Sequence, residues 1–140
     1  MFKDIVNKRG NKFYTLEVCV INEAQKDLGI ILPKEIREFY EEIGYGFLNS
    51  EEGYFNRIMD PHSLCEFRFR EGQFANDPEL DIYKDYEYDK LVFFEICEGE
   101  YLSIGFSKNN SGKIFSGEEK IADSLKEFLI NYQDNERYFE

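Results

Sequence analysis

The sequence predicts an α+β domain in which helices precede and follow an antiparallel sheet. Apolar residues recur at helical spacing over residues 18–44, and aromatic and β-branched runs typical of strands occupy 91–97 and 101–106. A last amphipathic helix follows these strands. Helices on either side of a block of strands are typical of the α+β class.

One domain accounts for the whole chain. Its 140 residues are close to the usual size of a compact domain, and no Pro- or Ser-rich linker divides them. Hydrophobic residues make up 42% and aromatic residues 17%, which is far from the composition of a disordered chain. We expect a single domain over residues 1–140 that ends in a polar tail at 133–140. The aromatic residues expected in its core are Phe39, Tyr40, Phe93, Phe94, Phe106, Phe115 and Phe128.

The first third of the chain predicts three helices and one extended piece. A short helix over residues 2–6 precedes an irregular or extended piece at 13–16. Apolar residues then recur at helical spacing in 18–28, where Gly29 supplies a stop. Pro33 starts the next helix, whose apolar residues follow the i, i+3, i+4, i+7 pattern up to the next glycine.

The middle of the chain has weaker patterns. Residues 46–59 fit one or two short strands with a turn. Asp60 before Pro61 is a helix start signal, because an aspartate cap followed by proline suits a first turn. The helix that it predicts is less regular, and residues 67–74 are open to an extended alternative.

The second half predicts a meander and a closing helix. The strands at 91–97 and 101–106 are separated by 98–100, which has the length and chemistry of a hairpin loop. A second turn at 108–112 leads into a short strand at 113–116, so three antiparallel strands are expected. The apolar face expected on the closing helix consists of Ile121, Leu125, Phe128, Leu129 and Tyr132.

The cysteines and the histidine form no metal or disulfide pattern. Cys19, Cys65 and Cys97 are odd in number and widely spaced, so we interpret them as buried reduced thiols. His62 lies three residues before Cys65, but two ligands fall short of the three or four in a zinc site. We therefore interpret His62 as a polar residue early in a helix, and we predict no metal, no cofactor and no catalytic residue.

The charge of the chain restricts its partners. Seventeen Lys and Arg against 29 Asp and Glu give a net charge of −12 at pH 7. This charge repels phosphate backbones and anionic lipids, so we expect neither direct nucleic-acid binding nor membrane binding, and a cationic protein partner fits better. The chain has no apolar run long enough to cross a bilayer and no signal-peptide core, from which we expect a cytoplasmic protein. Its oligomeric state is left open.

The acidic charge is concentrated in residues 71–90. Seven acids stand against two lysines in this segment, a net charge of −5, and Tyr83, Tyr86 and Tyr88 are interleaved with them. Amphipathic rings beside carboxylates are typical of interaction hot spots, whereas acidic runs in general are solvated loops. Both interpretations stand at this point. The candidate partner-binding residues are Asp77, Glu79, Asp81, Tyr83, Asp85, Tyr86, Glu87, Tyr88, Asp89, Glu98 and Glu100.

Carboxylates also raise an enzymatic hypothesis. Glu95, Glu98 and Glu100 flank the hairpin and extend the acidic surface where strand alternation points them outward. A hydrolase that uses paired carboxylates as general acid and base needs two acids of unequal environment in a cleft. We expect exposed charge here instead of catalysis.

Residues 21–46 contain a motif in which a helix stop is followed by a proline-started helix. Its members are Ile21, Ala24, Leu28, Gly29, Leu32, Pro33, Glu35, Ile36, Phe39 and Tyr40, then Gly44, Tyr45 and Gly46. A hairpin at 99–101, a strand at 112–115 and a helix at 122–129 follow in order. This combination, over residues 21–132, resembles the SUKH superfamily, which includes fungal cell-wall assembly regulators of the Smi/Knr type and bacterial immunity proteins.

The resemblance implies both a fold and a function. The fold is a mixed, mainly antiparallel sheet packed with helices. In bacteria the implied function is that of an immunity protein, which binds and neutralises a cognate polymorphic toxin, often a nuclease, without chemistry of its own. Nuclease domains must be basic to hold phosphates, which agrees with an acidic partner. The alternative, which resembles the fungal branch, is an intracellular regulatory or scaffold module.

Overall fold

A seven-stranded antiparallel sheet organises the fold in the computed structural model, which describes residues 1–50, 56–96 and 99–140. Its strands are β1 (Lys12–Tyr14), β2 (Tyr45–Leu48), β3 (Asn56–Ile58), β4 (Lys90–Ile96), β5 (Glu100–Gly105), β6 (Ile114–Ser116) and β7 (Glu119–Ala122). The helices in these ranges are α1 (Lys3–Val6), α2 (Val18–Leu28), α3 (Lys34–Glu42), α4 (Pro61–Phe69) and α5 (Leu125–Asp134), with 3-10 segments at Gly72–Phe74 and Pro78–Tyr86. The α+β prediction is therefore confirmed.

The strands follow one another across the sheet in chain order, and each described pairing is antiparallel. The predicted hairpin is the pairing of β4 with β5, in which Leu91 lies opposite Ile104 and Ile96 lies opposite Glu100. Between β3 and β4 the chain leaves the sheet to form α4 and both 3-10 segments. These inserted elements contain most of the acidic segment. Cys97 and Glu98 lie outside the described residues.

Helices cover both faces of the sheet. Phe94 on β4 points to α5, where its ring lies 5.2 Å from that of Phe128 and 5.1 Å from that of Tyr132. Tyr101 on β5 lies on the opposite face, because successive strand residues alternate, and its ring centroid is 4.8 Å from that of Phe67 on α4. The core therefore has a layer on each side of the sheet, and α4 with its 3-10 segments forms the second layer.

Local signals set the helix ends. Gly29 ends α2 in the left-handed conformation at φ 68°. Asp60 caps α4, since its carboxylate accepts hydrogen bonds from the backbone N–H of Ser63 at 3.3 Å and from the Ser63 hydroxyl at 2.6 Å. Pro33 is the cap of α3, not its first helical residue. Ser124 caps α5 by accepting from the N–H of Glu127 at 3.1 Å.

Four further predictions are corrected by the structure. Residues 67–74 are not extended: α4 continues to Phe69, and a 3-10 turn follows. Ile121 belongs to β7, a strand that the apolar periodicity did not indicate, so the closing helix begins after the Ser124 cap. The polar tail at 133–140 begins inside α5, and its Tyr138 packs on the core and donates a hydrogen bond to the carbonyl of Ile121 at 2.7 Å. Cys19 is exposed, not buried.

Candidate protein-interaction surface

The acidic segment is folded as a 3-10 helix, Pro78–Tyr86. Asp77 caps it, because the Asp77 carboxylate accepts a hydrogen bond from the N–H of Glu79 at 3.0 Å and proline occupies the first position. Leu80 is buried at 2% exposure and attaches the segment to the core. Four carboxylates of this segment are exposed, and with the exposed Glu100 they form what we call the acidic face: Asp77, Glu79, Asp81, Asp85 and Glu100.

The three-residue period of the 3-10 helix explains which side chains are exposed. Residues at i and i+3 are eclipsed in this helix, so Leu80 and Tyr83 share the inward side. Glu79, Ile82 and Asp85 share an outward side for the same reason, and Ile82 is 63% exposed. Sequence reasoning missed Ile82. The spacing of Ile82 from Glu79 and Asp85 indicates an outward side chain only when the segment is taken as a helix with a period of three.

Tyr83 anchors the segment to the sheet. Its hydroxyl accepts a hydrogen bond from the backbone N–H of Tyr101 at 3.1 Å, and its ring lies 5.8 Å from that of Phe67. Burial raises the pKa of Tyr83 above its usual value, and the nearby Glu100 carboxylate acts in the same direction, which places Glu100 beside this segment. Tyr83 therefore covers the core, as the loop interpretation predicts for the tyrosines.

A buried ion pair fixes the end of the segment. Arg70, in the left-handed conformation just after α4, pairs with the Glu87 carboxylate, and the two side chains are only 17% and 13% exposed. The Arg70 guanidinium also donates to the carbonyl of Leu80 at 3.2 Å and lies 4.7 Å from the centroid of the Phe67 ring. Arg70 was not among the predicted site residues. Glu87 was among them, but its carboxylate points into the protein.

Asp89 is also held within the chain. Its carboxylate lies 2.9 Å from the Lys90 ammonium, which is 7% exposed, and it accepts a hydrogen bond from the side-chain amide of Asn110 at 3.1 Å. The Lys90 ammonium lies 4.7 Å from the centroid of the Phe115 ring and 5.5 Å from that of Tyr88. Tyr88 is nevertheless 77% exposed, so one side of its ring contacts Lys90 while the rest is available to a partner.

The structure therefore separates the predicted residues into two groups. The acidic face and Tyr88 are exposed, whereas Tyr83, Glu87 and Asp89 make the internal contacts described above and Tyr86 is half-buried. Glu95 is paired with Arg57 at 3.1 Å instead of extending the acidic face. Glu98 lies outside the described residues.

The exposure of these acids also bears on the enzymatic hypothesis. A general acid needs a carboxyl group shielded from water so that its pKa rises. The four carboxylates on the 3-10 segment are exposed, which is the opposite environment. In the described part of the chain, no three His, Cys, Asp or Glu side chains lie together in a way that could hold a metal ion. His62 is an exposed residue in the first turn of α4, as expected.

The two described cysteines differ in environment, which gives a testable contrast. Burial, reinforced by the Asp27, Glu71 and Asp60 carboxylates, raises the pKa of the Cys65 thiol to about 11, while Cys19 is exposed. Because the thiolate is the reactive form, we expect Cys19 to react with iodoacetamide at pH 8 at least about 30-fold faster than Cys65. Mass spectrometry of timed digests, in a Cys97→Ser background, measures the two rates. Cys65 is half-buried and not fully buried as predicted, and equal rates would contradict this shielding.

The meander sheet between two helical layers, with an acidic face on a capped 3-10 segment, defines an acidic α+β domain. The chain belongs to the SMI1/KNR4 family (SUKH-1), whose family model matches residues 20–131. This agrees with the resemblance found over residues 21–132. In the ranges that the structure describes, no helix combines the length and apolarity needed to span a bilayer.

One curated relative is similar over nearly its full length. It is "Immunity protein YxxD" of Bacillus subtilis (strain 168), and it is 40% identical to this chain over 135 residues, which cover 96% of this chain and 92% of the relative. No solved structure matches the chain. The family and this relative together support an immunity function.

Proposed function

We propose that this protein is an immunity protein that binds a cognate toxin domain and neutralises it by occlusion, without chemistry of its own. The observation that carries the proposal is that the acidic face lies on a 3-10 helix held firmly against the core. Its carboxylates project from a 3-10 helix that the buried Leu80, the Tyr83 hydrogen bond and the Arg70–Glu87 ion pair hold against the core. A rigid charged surface loses little conformational freedom on binding.

The partner that fits this surface is basic. Charge complementarity steers a cationic partner toward the acidic face and raises the association rate by roughly 10- to 1,000-fold at low salt. A nuclease domain is the favoured target, because its substrate-binding surface must be positive to hold phosphates. A docked acidic domain would compete with the nucleic acid for that surface. Since such a target is cytoplasmic, we also propose a cytoplasmic location.

Occlusion needs contact area as well as charge. A stable interface buries about 800 Å² on each partner, which is roughly a tenth of the 7896 Å² surface of the described chain. Ile82 and Tyr88, the exposed apolar side chains within and beside the acidic face, are the proposed anchors of such an interface. Water-excluding apolar anchors inside a charged rim are the usual arrangement of interaction hot spots.

The direct test is co-expression with the product of the adjacent gene, which the proposal expects to contain the toxin domain. We expect growth to be rescued and a complex to co-purify, and the complex should weaken as salt concentration rises because exposed charges are screened. A catalytically inactive toxin variant allows the same binding measurement without selection for growth. Failure of rescue together with the absence of a complex at low salt would overturn the proposal.

Truncation of an anchor should shorten the lifetime of that complex. We expect Ile82→Ala to raise the dissociation rate about 10-fold, which corresponds to about 1.4 kcal/mol, because the buried side chain no longer excludes water from the interface. Surface plasmon resonance with the inactive toxin measures this rate. Ile130→Ala is the matched control, since Ile130 is also exposed, at 49%, but lies on α5. An unchanged rate for the Ile82 variant would remove this residue from the interface.

A further inference from the structure

Both edge strands of the sheet, β1 and β7, have a strand partner on one side only among the described residues. Strand β1 pairs with β2 alone, whereas the opposite edge strand, β7, accepts a hydrogen bond from the Tyr138 hydroxyl at the carbonyl of Ile121. An unpaired strand edge is a template for an added strand. Among the described residues, β7 has this one contact on its outer side, whereas β1 has none.

The backbone groups at this edge can be assigned from the contacts of β1 with its neighbour. The carbonyl oxygens of Lys12 and Tyr14 face Gly46 and Gly44, so closely that a Cβ on either glycine would overlap them. Backbone bonding directions alternate along an antiparallel strand, so the N–H and C=O of Phe13 point away from β2. They form one donor–acceptor pair that faces an incoming chain.

A groove lies beside this edge. It has a volume of about 460 Å³ and is lined by Val6 on α1, Phe13 on β1 and Ile43 just after α3. The Phe13 ring packs edge-on against Phe39 at 5.8 Å, so the groove lies on the face of the sheet that α3 covers. Apolar side chains of a strand added to β1 would point into it, because alternate residues of a strand face the same side.

The N-terminal segment that contains β1 has a charge opposite to that of the whole chain. Residues 1–14 contain four Lys and Arg and one Asp, a net charge of +3 within a chain of −12. Lys3 and Lys8 line the groove together with Asp4, and both lysines lack an ion-pair partner among the residues that the structure describes. Exposed charges act over about 8 Å at physiological ionic strength, and the exposed Lys12, which alternation places on the face opposite Phe13, is within this range of a strand added to β1.

We propose that β1 and its groove bind an extended segment of a partner protein in which acidic residues alternate with apolar residues. The segment adds as an eighth strand, hydrogen-bonds to the backbone of Phe13, places its apolar side chains in the groove and its carboxylates on the opposite face of the sheet, near Lys12. A second copy of the chain does not fit, because pairing two β1 edges would oppose two basic segments. This surface is distinct from the acidic face and takes a partner of opposite charge.

The test uses short synthetic probes and the full-length chain. The first probe is a capped hexapeptide that alternates glutamate with valine, the second replaces each glutamate with lysine, and the third is the glutamate probe N-methylated at alternate residues. Each is titrated to about 1 mM against ¹⁵N-labelled protein. We expect the glutamate probe alone to bind, with shifts confined to residues 3–14 and 43–46. N-methylation should weaken binding at least 10-fold because it removes the backbone donors.

A charge reversal with a matched control completes the test. Lys12→Glu should weaken binding of the glutamate probe at least 5-fold, whereas Lys108→Glu, an equal charge change in the exposed turn after β5, should change it less than 2-fold. Equal binding of the lysine probe, undiminished binding of the N-methylated probe, shifts outside the groove or no binding at all would each overturn the proposal. Concentration-dependent dimerisation through β1 would do so as well. Toxin rescue by the Lys12 variant tests the acidic face separately and is expected to be unchanged.

Discussion

Replacing Arg70 with methionine is expected to lower the free energy of unfolding by about 3–5 kcal/mol, because the Glu87 carboxylate is then left buried without its counter-charge. The Glu87 side chain is only 13% exposed, and Arg70 also supplies a hydrogen bond to the carbonyl of Leu80. Methionine keeps the contact with the Phe67 ring through an unbranched apolar chain of similar length. Urea unfolding of the variant and the parent chain, followed by far-ultraviolet circular dichroism, measures the difference.

Two further variants separate the ion pair from the side chain itself. The double variant Arg70→Met with Glu87→Met should recover much of the loss, because a buried ion pair replaced by apolar residues is often neutral in stability. Arg137→Met is the matched surface control, since Arg137 pairs with Glu140 while 86% exposed, and it should cost less than about 1 kcal/mol. A loss below about 1 kcal/mol for the Arg70 variant would show that this ion pair is solvated in solution.

The Arg70–Glu87 pair also illustrates what sequence analysis could not provide. Its partners lie 17 positions apart, on either side of two 3-10 segments, and their contact depends on how those segments return to α4. The sequence shows that residues 71–90 are acidic but not which of these carboxylates are paired, so Glu87 was predicted to be exposed with the others. Asp89 was placed there for the same reason, because its partner Asn110 is 21 positions away in a turn.

Features with local causes were predicted well. The end of α2 at Gly29 and the start of α4 at Asp60 depend on neighbouring residues only, and both are where the sequence indicated. The β4–β5 hairpin follows from two strand-like runs and a short polar loop. The family resemblance, which depends on such local motifs in order, was confirmed as well.

Features that depend on distant packing were not predicted. Strand β7 is only four residues long, and its burial pattern is half exposed, so periodicity alone did not separate it from the helix that follows. The C-terminal tail was predicted to be polar because acidic and amide residues surround Tyr138 and Phe139, whose packing on the core is decided by the fold. Ile82 became a candidate anchor only after the acidic segment was found to be a 3-10 helix.

Neutralising the acidic face should have the largest effect on toxin binding. The variant Asp77→Asn, Glu79→Gln, Asp81→Asn and Asp85→Asn removes four negative charges, and asparagine retains the capping ability of Asp77. We expect its association rate with the toxin to fall about 10- to 100-fold at low salt, because the steering field is lost, and its dependence on salt to flatten. Stopped-flow measurements over a range of salt concentrations give both quantities.

A control variant is needed to separate the position of the removed charges from the change in net charge of the chain. The control variant removes the same number of negative charges from exposed positions on or next to α2 and α5, away from the 3-10 segment. Its substitutions are Glu17→Gln, Glu23→Gln, Asp27→Asn and Asp134→Asn. The field of an exposed charge is screened beyond about 8 Å at physiological salt, so this control should slow association less than about 3-fold there. If both variants slow association equally at physiological salt, the net charge of the chain steers the partner and the acidic face is not its docking surface. If only the first does, the carboxylates of the 3-10 segment lie at the interface.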